Sequence, residues 1–309
     1  MANSLRDLRR KMKGIKSTRQ VTKAMELVAA SKMRRAVSSA VELRRFALAS
    51  WHILLRVSRR NPMAHPALMK RPVRNVLGIL YTSDRGLTGA MGTQILKTTA
   101  EYITNLKNIP TFESIDFIAL GRRGQQFLAR AGQNVTAAFP AFSNRPTLRD
   151  IAPIAKIASD AFEAGTYDYV TLIYPDFISA LSQKPTVKVL LPFTDSELRD
   201  MVKSLGINPE SIRTESELLV TDDSAQYLFE PSEEQVLGAA LAQITELQIY
   251  QALLEAVASE HSARMVAMRS ATDNATTILD DLTLTYNQTR QGNITSELAE
   301  LSASKAALE

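Results

Sequence analysis

Residues 232–290 read SEEQVLGAALAQITELQIYQALLEAVASEHSARMVAMRSATDNATTILDDLTLTYNQTR, with no proline and one glycine, Gly238. Apolar or small residues recur at alternating steps of three and four: Leu237, Ala240, Ile244, Leu247, Leu254, Ala258, Met265, Met268, Ala275, Leu279, Leu282 and Tyr286. Gln251, His261 and Thr272 fill the remaining positions of that seam. A repeat of about 3.5 residues sustained over this length marks a helix packed along one narrow line, as in a coiled coil. Its start is signalled by Pro231-Ser232-Glu233-Glu234-Gln235, a hydroxyl at the N-cap with a Gln three residues on and carboxylates in the first turn. At about 1.5 Å per residue the stretch makes a rod roughly 85–90 Å long. The core of a 309-residue protein is not that deep. The rod must pair with another long helix or enter another protein.

The opposite end of the chain supplies a helix of matching kind. Residues 4–60 contain no proline, and Ser4 with Asp7 makes a capping-box pattern. Leu5, Leu8, Met12 and Ile15 follow a heptad seam, which is expected to shift to Val21, Met25 and Val28 and later to Met33, Val37 and Val41. The helix stops near Asn61-Pro62, and Pro66 and Pro72 continue an extended linker. The charge is divided between the two ends. Residues 1–60 hold 16 Lys/Arg and 3 Asp/Glu, whereas residues 232–309 hold 4 and 11. Set antiparallel, the two rods attract and select register. Counting back from a shared base, Ser4 is expected opposite roughly residue 288. The last twenty or so residues then project, with Ile294, Leu298 and Leu301 as an uncovered apolar stripe.

Between the rods the pattern changes. Short β-rich runs at Val76–Tyr81, Ile115–Leu120, Tyr169–Tyr174 and Val187–Leu191 alternate with helical segments at Gly86–Lys107, Arg122–Arg130 and Thr147–Ala164. This alternation predicts an α/β layer with a largely parallel, Rossmann-like sheet. Residues 194–226 are polar and poorly patterned and are expected to form a short helix and loops. The resulting fold class is α/β: a long antiparallel coiled coil of residues 1–60 and 232–309, with a globular domain of residues 73–231 inserted between its strands.

Composition narrows the chemistry. The chain has no cysteine, so disulfides, thiolate nucleophiles and cysteine metal sites are excluded. No apolar run approaches the roughly 20 residues needed to span a bilayer. The Arg-rich start has the composition of a transit peptide, but its helical pattern runs on without a break, so it is read as structure. Gly86-Leu-Thr-Gly-Ala-Met-Gly92 follows a strand and opens a helix, where phosphate loops sit. Its spacing is not G-x-G-x-x-G, and no Gly-Lys pair exists for a Walker A loop, so a tight strand-to-helix turn is favoured. Gly121-Arg-Arg-Gly124 reads the same way, with an anion site as the alternative. His52, His65 and His261 are dispersed and read as packed side chains, and the neighbours Asp280 and Asp281 diverge on a helix. No cofactor or metal is expected. The basic stretch 6–19 could hold nucleic acid, but an ion-paired face against the acidic rod is favoured.

Four stretches resemble a known family. They are Ile15-Lys-Ser-Thr-Arg-Gln-Val-Thr-Lys-Ala-Met-Glu-Leu-Val-Ala-Ala-Ser-Lys-Met-Arg-Arg35, Ser83-Asp-Arg-Gly-Leu87, and the pair Glu260–Asn274 and Leu282–Leu298. They are similar to the signatures of the gamma subunit of bacterial-type F-type ATP synthases, the central rotor shaft. Thr88 and Ala90 stand where many members carry Cys and Gly. The resemblance implies a non-catalytic subunit, one copy per complex. It implies as partners a hexamer of alternating alpha and beta subunits, the epsilon subunit and a membrane c-ring, with no nucleic acid. It places the protein as a peripheral membrane protein on the cytoplasmic face of the bacterial plasma membrane. Carried over by position, Met25 would face the lower lip of the hexamer, and Arg264, Gln291, Thr295 and Glu297 its inner loops. Two other classes stay open on the residues alone: a nucleic-acid-binding adaptor, motivated by the basic first rod, and an α/β enzyme with helical arms, motivated by Gly86–Gly92.

Overall fold

The computed structural model describes residues 4–60, 65–142, 146–193 and 232–306, without the side chains of 44–60, 233–234 and 305–306. The expectation for 194–226 lies outside the described residues, and that for His52 falls on a side chain that is not described. The chain forms two compact units, Met1–Ala30 with Arg264–Glu309, and Ser31–Ala263. Helices α1 (Leu5–Arg60) and α5 (Glu233–Ala306) contribute to both units.

Both predicted starts are capped. Ser4 Oγ donates to Asp7 Oδ2 at 2.9 Å while the Asp7 N–H donates back to Ser4 Oγ at 3.2 Å. At the head of α5 the Gln235 N–H donates to Ser232 Oγ at 3.3 Å. The Asp7 and Gln235 bonds each satisfy a first-turn N–H that the helix leaves without an intrahelical acceptor.

The Ser31–Ala263 unit is built on a five-stranded sheet of order β3-β2-β1-β4-β5. Its strands are β1 (Asn75–Tyr81), β2 (Ser114–Leu120), β3 (Asn134–Phe139), β4 (Tyr169–Phe177) and β5 (Gln183–Leu191). The first four are parallel and β5 returns antiparallel. Crossovers run through α2 (Met91–Lys107), α3 (Arg122–Arg130) and α4 (Leu148–Glu163). Strand alternation sorts the core into two layers. Leu77, Ile79 and Tyr81 join α4 and the unit's portions of α1 and α5 on one face. Val76 and Leu80 join α2 and α3 on the other. Gly78 sits beside Phe117 in register, and a Cβ there would come within 2.6 Å of that ring.

Three expectations need correction. Helix α2 begins at Met91 and not at Gly86, because Leu87 and Gly89 take positive φ of 66° and 56° and hold the chain in a loop. Strand β3 was not anticipated. It is a six-residue edge strand with no fully buried residue, its residues alternating between exposed and half-buried, so it lacks the apolar run of its neighbours. The compact unit also takes in helical segments on both sides of residues 73–231.

Candidate partner-binding shaft and the anchorage of α5

In the Met1–Ala30 and Arg264–Glu309 unit, α1 and α5 run antiparallel. Arg9 Nε donates to the Tyr286 hydroxyl at 2.8 Å with its guanidinium over the ring, and Thr22 Oγ1 and Thr272 Oγ1 lie 2.8 Å apart. These two pairs extrapolate to Ser4 facing about residue 290, close to the expected 288. On α5 the inward positions are Met265, Met268, Thr272, Ala275, Leu279, Leu282 and Tyr286, with Met268 and Ala275 buried and the others half-buried.

The α1 seam differs from expectation. Leu5, Leu8, Met12 and Ile15 are covered, and the same heptad then continues through Arg19, Thr22, Glu26 and Ala29 into Met33 and Ala36. Val21 and Val28 are 55% and 56% exposed, and Val41 and Leu27 are exposed too. Val37 is half-buried. The phase never shifts because Thr22 meets Thr272 and small Ala29 lets the backbones approach, so the contact needs no large apolar residue there. Val21, Leu27 and Val28 are left on an outward face, with half-buried Met25 beside them.

Beyond Thr289 α5 has no covered side chain: residues 291–304 are all exposed. This segment carries the apolar Ile294, Leu298 and Leu301, and among them Gln291, Thr295 and Glu297. The Thr295 hydroxyl turns back to its own helix, donating to the Gln291 carbonyl at 2.9 Å. Arg264, half-buried, lies at the lower end of this unit, on the same helix and remote in sequence from the tip.

In the other unit α5 is not packed along one seam. Leu237, Ile244, Leu247 and Leu254 are buried, but so are Gln248, Gln251, Ser259, Glu260, His261 and Ser262, so from Leu247 to Ala263 the helix is enclosed on all sides, whereas Ala239, Ala242 and Gln243 nearer its start are exposed. Several of the enclosed polar groups bond to the sheet or to the loop between β4 and β5. The Tyr81 hydroxyl donates to Glu260 Oε2 at 3.0 Å, Gln183 Nε2 donates to Ser262 Oγ at 3.1 Å, and Ser262 donates to the Ala180 carbonyl. Gln251 Nε2 donates to Glu255 Oε1 at 2.9 Å, and Tyr174 and Asp176 of β4 face the same carboxyl. Burial pushes the Glu255 carboxyl above the usual glutamate range, and the nearby Asp176 charge adds to this. Burial likewise raises Asp176, against the pull of Lys188 and Lys184. Tyr174 is held well above the usual tyrosine range by burial and by the Glu255 and Asp176 charges. Sequence reading missed this anchorage. Its only trace was a run of polar residues in an apolar helix. Buried polar bonds are direction-specific where apolar contacts can slide, so the anchorage fixes α5 against the sheet.

Among the described residues no group of three His, Cys, Asp or Glu is placed to hold a metal ion, and no helix is long and apolar enough to cross a membrane. The Gly121–Gly124 motif serves the sheet. Gly121, at φ 95°, lets the chain pass so close to Thr82 that a Cβ would lie 2.0 Å from its carbonyl oxygen, and the Gly124 N–H donates to Thr82 Oγ1 at 2.7 Å.

A parallel-sheet domain gripping one long helix, whose far end pairs with a second helix and then runs on uncovered, defines a shaft-type subunit whose work is mechanical. Residues 4–308 match the ATP synthase family model. The ATP synthase gamma chains of Roseiflexus castenholzii and Herpetosiphon aurantiacus are 39% and 38% identical to this chain, over 99% of it and 98% and 99% of theirs. This chain belongs to the ATP synthase gamma chain family, and it is a non-catalytic subunit. Among solved structures it is similar to a chain of the Tetrahymena thermophila mitochondrial ATP synthase central stalk and c-ring, at 27% identity and a TM-score of 0.57, over 81% of this chain and 99% of that one. A chain of the Euglena gracilis mitochondrial enzyme shares the fold at 19% identity and a TM-score of 0.59, over 98% and 94%.

Proposed function

We propose that this chain is the central rotor shaft of an F-type proton-translocating ATP synthase, carrying c-ring rotation to the catalytic beta subunits. The carrying observation is the α5 end, exposed from 291 to 304 with an apolar stripe that no described residue covers. A single helix with that surface needs a sleeve. The sleeve is the hexamer of alternating alpha and beta subunits. The globular domain of residues 73–231 rests with the epsilon subunit on the c-ring, and residues 1–60 and 232–309 form the shaft. One copy serves each complex, no nucleic acid is bound, and the protein sits peripherally at the cytoplasmic face of a bacterial plasma membrane. A shaft without threefold symmetry meets three like subunits differently, and that differential contact stabilises a different conformation at each site. Met25 meets the lower lip of the hexamer, and Arg264, Gln291, Thr295 and Glu297 bond to its inner loops. Mixing the purified chain with alpha and beta subunits tests the reading. ATPase rate should rise, and Arg264→Glu or Glu297→Lys should reduce the rise without changing nucleotide affinity of free beta. A hexamer that behaves identically with and without the chain would overturn it.

A further inference from the structure

We propose that the β1–α2 loop and the first turn of α2, closed over by Arg123, form an oxyanion site that takes a phosphate group. Helix α2 is 17 residues long, its N-cap Ala90 supplies no side-chain cap, and the Gly92 N–H finds no acceptor among the described residues. The neighbouring α3 is treated differently. Its Arg122 N–H is bonded by Asp84 Oδ1 at 2.8 Å and its Gly124 N–H by Thr82 Oγ1 at 2.7 Å, so the protein itself supplies the acceptors. At α2 the Met91, Thr93 and Gln94 N–H groups find backbone carbonyls, but no side chain caps the helix and the buried Gly92 N–H is left without an acceptor at its positive end.

The surrounding side chains point to what completes it. Thr88 is 2% exposed, and its Oγ1 has no hydrogen-bond partner; Ser83 in the same loop is equally buried and unpartnered. Buried hydroxyls are rarely left unbonded. Thr88 Oγ1 lies 3.9 Å from the point where a Cβ on Gly92 would sit, and Arg123 Nη1 lies 2.8 Å from that same point. A hydroxyl, a guanidinium and a free N–H therefore converge on the first turn of α2. Arg123 has no carboxylate within ion-pair distance among the described residues. A cation held against a helix N-terminus is repelled by it, and an anion between the two turns repulsion into attraction on both sides. With no side chain at Gly92 the guanidinium can rest against the first turn of α2. The place is the C-terminal ends of parallel strands β1 and β2, where open α/β sheets bind ligands. A tetrahedral oxyanion can accept from the Gly92 N–H, Thr88 Oγ1 and Arg123 together, with the exposed guanidinium moving outward to admit it.

The test uses the full chain, labelled with ¹⁵N and titrated with inorganic phosphate against sodium chloride at matched ionic strength, with thermal unfolding in parallel. Phosphate should shift the Gly92 amide saturably and raise the unfolding midpoint. Thr88→Val and Arg123→Gln should each weaken the affinity by about tenfold, the loss expected for one bond to a charged group. Thr88→Val removes an unbonded buried hydroxyl, so it folds at least as well without phosphate, and its loss of response is not a folding defect. A second arm uses ADP. Tighter binding to the same amides identifies a nucleotide's phosphate as the source, and weaker binding identifies the free ion. A Gly92 amide that does not move, or a response unchanged by either substitution, shows only an adventitious ion and overturns the site. None of these outcomes bears on the shaft assignment.

Discussion

Replacing Met268 with Asp separates a seam position from an apolar residue that merely lies on the helix. Met268 is 5% exposed in the two-helix contact, whereas Ile278, ten residues along the same helix, is 46% exposed. Burying a methionine side chain contributes about 1.5–3 kcal/mol, and Met268→Asp forfeits it. The new carboxylate must also be partly dehydrated within the two-helix contact, which adds about another 1–2 kcal/mol. The expected cost is about 3–5 kcal/mol, confined to the unit of residues 4–30 and 264–306. Hydrogen exchange read by mass spectrometry on peptides covering 5–29 and 265–289 measures it directly. Opening of these peptides should become roughly two to four orders of magnitude more frequent. Peptides from β1, β2 and β4 should not change. Ile278→Asp should cost about 0.5 kcal/mol or less, as exposed substitutions do. Equal exchange in the two variants, or a Met268→Asp protein that exchanges like its parent, would refute the paired-helix reading of this unit.

Glu255→Gln should change how stability depends on pH. Burial raises the folded carboxyl above its unfolded value, so the folded state holds the extra proton. Its contribution is therefore intact below the ordinary carboxyl range and is lost as pH rises through the raised folded value. Urea midpoints of parent and variant should coincide at acid pH and separate towards neutrality with the variant higher; a constant gap would contradict this. Gly121→Ala should cost about 3–5 kcal/mol, because a Cβ would overlap the Thr82 carbonyl at a φ of 95°, and a thermal melt within a few degrees of the parent would rule that out. Deleting residues 298–309 should leave melting of the sheet-containing unit unchanged and weaken assembly with alpha and beta subunits. The purified chain alone should show no ATP turnover in a coupled assay, since it carries no Walker A lysine.

The two long helices, their antiparallel pairing and the parallel sheet were legible because their signals are local. The cap bonds at Ser4–Asp7 and Ser232–Gln235 involve residues three apart, and the α5 heptad from Met265 to Tyr286 is a property of one helix face. Strand β3 was not legible. It has six residues with none fully buried, and Ala137 and Ala138 carry little apolar surface, so it offers nothing like the apolar runs that mark β1, β2 and β4. The candidate tip residues could be placed by counting turns, since a straight helix converts residue number into position.

What tertiary structure alone decided is which face meets what. Val21 and Val28 are as apolar as any seam residue, yet they lie outward, while Arg19, Thr22 and Glu26 line the contact. Hydrophobicity states a preference for burial, and the partner's surface determines where burial is available. The same holds for Glu255, Glu260 and Tyr174, which nothing local distinguishes from solvent-facing residues. The bonds that join α5 to the sheet and its β4–β5 loop span 79 to 179 residues of sequence, as the Gln183–Ser262 and Tyr81–Glu260 bonds show. The sequence by itself determined a helix of the right length and period and a sheet domain ahead of it. Only folding decided that this helix is locked to its sheet by buried polar bonds, because such bonds exist between elements and in neither element alone.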